Sequence, residues 1–109
     1  GDARDKAVEM LVKRWAERDP VAASDWLLQE PQDKGFQDAA KQLVGKTLKV
    51  SPELAWDWAT KLTDAKIRKQ QLQYVAKQWM GFDQTAARAK IQASNLPAEE
   101  VEKLLAQPQ

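Results

Sequence analysis

The chain has 109 residues with five tryptophans, no cysteine, no histidine and a net charge of +1, a size that fits one domain with a shared core rather than two. Without cysteine it has neither disulfides nor thiolate metal sites, so stability has to come from packing and the redox compartment is unconstrained. The near-neutral charge argues against a strong general attraction to nucleic acid or anionic membrane, and no apolar run approaches the roughly 20 residues of a membrane-spanning helix.

The first residue is Gly1 rather than Met, compatible with a processed form or an excised domain, and charges stand where a signal peptide has its apolar segment. Charge is unevenly spread: the segment from Lys34 to Lys90 carries +6, that from Gly1 to Asp33 carries −3 and that from Ile91 to Gln109 carries −2. The middle is basic and the ends are acidic.

In chain order, Ala7, Val8, Leu11, Val12 and Trp15 form the stripe of an amphipathic helix with one buried face. Asp19-Pro20 then opens a second helix. The short carboxylate can accept hydrogen bonds from the first free backbone N–H groups, and proline is tolerated where its missing N–H would have no partner. Pro31 to Asp33 breaks that helix. The pattern then recurs in the same order and spacing, as Ala39, Ala40, Leu43, Val44 and Thr47 followed by the cap Ser51-Pro52, with a break at Thr63-Asp64. A third copy at the same offset brings Gln71, Leu72, Val75, Ala76 and Trp79 followed by Asp83-Gln84. Asn95-Leu96-Pro97 starts a final helix through about Leu105, the seventh in all.

The second helices align without a gap: Asp19-Pro20-Val21-Ala22-Ala23-Ser24-Asp25-Trp26, Ser51-Pro52-Glu53-Leu54-Ala55-Trp56-Asp57-Trp58, and Asp83-Gln84-Thr85-Ala86-Ala87-Arg88-Ala89-Lys90. The alanines let neighbouring helices approach closely. A lone hairpin leaves an apolar face uncovered, and stacking copies buries those faces, with about three repeats as the minimum for stability. The expected fold is therefore all-α: a single domain over 1–109, a right-handed stack of three 32-residue hairpins at about 5–31, 34–62 and 65–94, and a capping helix at 97–106. Lys90, where Trp26 and Trp58 stand in the earlier copies, suits a terminal repeat facing water, with Val101, Leu104 and Leu105 covering the remaining apolar surface.

An aromatic, an Asp-Pro or Ser-Pro cap, paired alanines and a Trp, recurring over roughly residues 5–95, resemble bacterial α-helical hairpin repeats of the tetratricopeptide-like solenoid class. The resemblance is to the class, since the tetratricopeptide period itself is about 34 residues and its first-helix Leu-Gly pair and later Tyr have no counterpart here. It implies a scaffold that binds proteins or peptides, monomeric by default.

Trp15, Trp26, Trp58 and Trp79 fall on the apolar stripes and read as core filling between hairpins. Trp56 differs. Its equivalents are Ser24 and Arg88 and it lies off the face of Ala55, Trp58 and Leu62; packing on an adjacent helix is the commoner fate of such a residue, and if the middle hairpin carries a binding surface Trp56 is expected there as an exposed partner-binding anchor. Its replacement by alanine should then cost little stability. Tyr74, equivalent to Met10 and Gln42, lies just off the stripe and with Lys41, Gln73 and Lys77 would form a mixed polar and aromatic groove, the alternative being a solvated face.

Other functions find less support. Lys66, Arg68 and Lys69 cluster at a helix start, with Lys41, Lys46, Lys49, Lys61 and Lys77 nearby in sequence, which makes nucleic-acid binding the alternative function, although no recognition motif accompanies them. Without histidine the chain lacks the commonest general base and metal ligand, and no glycine-rich phosphate loop is present. Asp25 and Asp57 repeat and would need a shared pocket to act as a carboxylate pair; pairing with Lys or Arg on the next helix is the simpler role. No enzymatic activity, metal, cofactor or membrane insertion is expected.

Overall fold

A computed structural model describes residues 2–106; position 1 and positions 107–109 of the expected domain lie outside them. The described chain is all-helical, with seven helices: α1 (Asp2–Arg18), α2 (Pro20–Leu27), α3 (Lys34–Leu48), α4 (Pro52–Thr60), α5 (Ala65–Phe82), α6 (Gln84–Gln92) and α7 (Ala98–Leu105). None of these is long and apolar enough to cross a membrane.

Local chemistry places the starts. Asp19, Ser51 and Asp83 each accept the backbone N–H three residues on, from Ala22 at 3.0 Å, Leu54 at 3.2 Å and Ala86 at 3.1 Å, with Pro20 and Pro52 in the first turn behind two of these caps. Asp33 and Asp64, the last residues of the two breaks, do the same for α3 and α5 by accepting from Phe36 and Ile67. Each cap gives one of the orphan donors of a helix end a partner. α7 begins after Pro97 with no side-chain cap, and its hold comes from packing: Leu104 is buried and Val101 and Leu105 are half-buried against the core.

Each helix packs on the next along the chain, α1 on α2, α2 on α3, α3 on α4, α4 on α5, α5 on α6 and α6 on α7, while α1 also lies along α3 and both α3 and α7 touch α5. Gly35 permits the close approach of α1 to α3: a Cβ there would stand 3.0 Å from the Asp5 Cα. Ala23, Ala55 and Ala87, one turn into each second helix, are fully buried, as close helix contact requires. Trp58 and Trp79 are buried, with the Trp58 ring 5.7 Å from that of Phe36. Trp15 and Trp26 pack on each other at 6.0 Å but are only half-buried, which corrects the expectation of four equivalent core tryptophans.

Two polar groups sit within this core. Thr47 occupies the position of Trp15 and Trp79, is fully buried, and donates its hydroxyl to the Leu43 carbonyl of its own helix at 2.6 Å. Ser24 donates to the Pro20 carbonyl and accepts from the Trp58 indole Nε1 at 2.9 Å, across a separation of 34 residues. Among the described residues no buried side-chain polar atom lacks a partner, as a packed interior demands.

Ser24→Ala should therefore cost about 1–3 kcal/mol, because it leaves a buried indole N–H without an acceptor, and Trp58→Ala about 3–5 kcal/mol by removing the ring as well; urea denaturation of both variants checks the order. Asp33 predicts a pH dependence. The Phe36 N–H, outweighing a small desolvation cost, and the nearby Arg4 guanidinium hold its carboxyl below the ordinary value of 3.8. Its contribution is thus present above the unfolded pKa and lost as pH falls through the lower folded one. The thermal midpoints of wild type and Asp33→Asn, which keeps a capping oxygen, should differ by a constant above about pH 5 and converge below about pH 4.

Candidate functional site

Trp56 is not an exposed anchor. It is only 2% exposed and ranks among the largest fully buried side chains. The reason is that α4 packs against both α3 and α5, which leaves solvent to Glu53, Asp57 and Thr60 rather than to Trp56. Residues two apart on a helix point about 200° apart, and both directions are occupied. Trp58 reaches back to Ser24 on α2, whereas the edge of Trp56 helps line a cleft of about 460 Å³ with Arg68, Lys90, Ser94 and Asn95.

The charges of that cleft are largely compensated. Lys90 Nζ lies 3.2 Å from Asp57 Oδ1 and 3.3 Å from Glu53 Oε1, and Arg68 donates to the Leu62 carbonyl at 3.1 Å. Burial pulls the Lys90 pKa down, but hydrogen bonds to Asp57 and Glu53 and their charges outweigh it, so Lys90 stands above the ordinary lysine value and is charged at neutral pH. Asp57 thus takes the simpler role expected of it, a pair with a cation on a later helix. Asp25 is exposed on α2 and takes no part in the cleft that Asp57 lines, so these two carboxylates share no pocket there. Among the described residues no three His, Cys, Asp or Glu side chains gather as a metal site.

Tyr74 is 51% exposed on α5, whose other side buries Leu72, Val75, Ala76 and Trp79, an exposure that a groove and a solvated face share. Lys77 follows three residues later, on the same side of the helix, and is exposed, as is Lys41 on α3. Lys41 lines a shallow cleft of about 390 Å³ with Gln42, Lys46, Lys49 and Gln71, and Gln71 precedes Tyr74 by one turn of α5. Lys46 is balanced by Glu17 at 3.7 Å; Lys41, Lys49 and Lys77 form no ion pair among the described residues. Gln73 leaves the expected groove and lines a separate cleft with Leu104 of α7.

Several exposed apolar side chains escaped the sequence reading: Leu11, expected on the buried stripe of the first helix, is open, as are Val21 and Leu28 on and just after α2. Val50 and Phe82, at the same repeat position just ahead of the caps of α4 and α6, are exposed, Phe82 by 66%. The signal was available, since that position precedes each cap by one residue and lies beyond the stripe, with Arg18 occupying it in the first copy.

No family model, curated protein or solved structure matches the chain.

With Trp56 inside the core, Trp56→Ala should cost about 3–5 kcal/mol, comparable to Trp58→Ala. Side-by-side urea midpoints test this; a loss under about 1 kcal/mol would mean a solvated ring.

Proposed function

We propose that the chain is a non-catalytic scaffold of three stacked helical hairpins in the tetratricopeptide-like manner, closed by α7, which binds a protein or peptide segment through the solvent face of α3 and α5. The observation that carries the binding surface is Tyr74: a large aromatic half out of a helix that is otherwise anchored by its buried face. Lys77 beside it and Lys41 and Lys49 on the neighbouring helix supply unpaired positive charge, so the favoured segment carries acidic residues together with an apolar group for the ring. Tyrosine is a frequent anchor because it offers a large, rigid, amphipathic contact at low entropic cost.

The stack is supported by a constant register of side chains between copies. Repeat position 24/56/88 looks forward: Ser24 accepts from Trp58, and Arg88 donates to the Leu105 carbonyl of α7 at 3.3 Å. Position 26/58/90 looks back: Trp58 reaches Ser24 and Lys90 reaches Asp57 and Glu53. Nucleic acid remains the second reading, favoured by the lysines that share the α3 cleft; it requires binding that weakens steeply with salt.

Pull-down from a lysate with wild type, Tyr74→Ala and a Lys41→Glu/Lys77→Glu pair, at low and moderate salt, tests the assignment. A protein held by wild type and lost with Tyr74→Ala, at an unchanged thermal midpoint, is the expected result. Capture indifferent to all three substitutions would move the binding surface elsewhere, and capture of RNA or DNA abolished by moderate salt would favour the second reading.

A further inference from the structure

The forward and backward register leaves one set of groups without a counterpart. In the second and third copies the first-helix residues Leu43 and Val75 are 0% exposed, while their equivalent Leu11 is 48% exposed. Ala7 is likewise open where Ala39 is buried. Trp26, whose equivalent Trp58 is buried and bonded to Ser24, is only partly buried, and its indole donates no hydrogen bond among the described residues. A charge follows the same rule. Lys46 reaches back to Glu17 of the preceding copy, and its equivalent Arg14 is exposed with no ion pair among the described residues. Apolar seat, indole donor and cation therefore stand together on the backward face of α1 and α2, around a shallow cleft lined by Leu11, Arg14 and Trp15.

We propose that this face is a seat for a further 32-residue helix pair of the same repeat type, docking on the first pair as the first pair docks on the second. The proposal rests on the stacked-hairpin reading above. It specifies the occupant: small residues along the contact, an acidic side chain at the position of Glu17 to meet Arg14, and a hydroxyl at the position of Ser24 to accept from Trp26. Continuity with the interface between the first and second pairs carries the argument, since the same three kinds of contact are made there. A second copy of the whole chain is a poor fit. The forward face of its first pair is already spent on α3 and α4, and that of its third pair is covered by α7. The register is also consistent in charge: position 14 becomes Gln78 in the third copy, where the preceding copy has Lys49 rather than Glu17, and a cation would face a like charge.

The test supplies such a pair. Residues 2–33, which carry their own Glu17 and Ser24, are repeated in frame immediately ahead of residue 2 of the full chain. Docking should raise the thermal midpoint by roughly 4–8 °C and slow amide exchange in the receiving α1 by about tenfold or more. Leu11→Glu together with Arg14→Glu in the receiving copy should abolish both gains, while the same substitutions in the unextended chain shift its midpoint little. Added residues that exchange as unstructured chain, with an unchanged midpoint, would overturn the proposal. So would concentration-dependent dimerisation of the unextended chain, by sedimentation equilibrium, that Leu11→Glu dissolves, because the face would then belong to a second copy. A double-mutant cycle of Ser24→Ala and Trp58→Phe in the unextended chain separates this failure from that of the stack itself. Coupling there with no docking refutes the seat alone, and absence of coupling refutes the stacked reading with it.

Discussion

A buried indole N–H has to have an acceptor, and the acceptor for Trp58 lies on α2, more than one repeat away in sequence. That requirement ties two helices that are not neighbours in the chain, and it does so with one direction and one register. Apolar packing alone tolerates sliding, because alanine on alanine is similar at several offsets. A donor and acceptor enclosed together do not, since a shift of one turn would leave the indole N–H without a partner at a cost of order 1–3 kcal/mol. The Lys90 pair with Asp57 and Glu53 occupies the corresponding place one repeat later. It is more exposed, so it aligns the helices with less energy behind it.

Most of the helical framework is legible in the residues. Asp19, Ser51 and Asp83 announce their helices through chemistry that acts over three residues, and local chemistry of that range does not need the fold to be known. The same holds for the apolar stripes of the first helices. Tyr74 could be placed because one side of α5 remains outermost, so a single-stripe picture of an amphipathic helix is adequate there. Trp56 defeats that picture. α4 has neighbours on two sides, and the second buried direction belongs to helices whose approach is decided by the whole assembly. The tell was already present in Ser24, its repeat equivalent: a small hydroxyl in the place of a tryptophan is what a buried forward-facing position looks like when the partner brings the bulk itself.

The basic middle of the chain divides in a similar way. Lys46 and Lys90 are each used against carboxylates on another helix, and Arg68 is turned to a backbone carbonyl. What remains for solvent is Lys41 on α3, Lys49 at its C-terminal cap and Lys77 on α5, with Lys61 after α4 and Lys66 at the start of α5 exposed as well. A count of charges along the sequence merges these two populations, because whether a lysine faces a neighbour or the solvent depends on side-chain direction and not on residue type.

Asp83 closes α5 and opens α6 in a single residue: its N–H bonds to the Trp79 carbonyl while its side chain accepts from Ala86. Asp19 bridges α1 and α2 in the same way. With no spare residue at these corners, an insertion of one would turn the following helix by about 100° and carry its buried face away from the core. The α1–α2 and α5–α6 corners are thus fixed in length as well as in angle, whereas the connectors at 28–33, 61–64 and 93–97 have residues to spare, so an added residue is absorbed there without rotating a buried face.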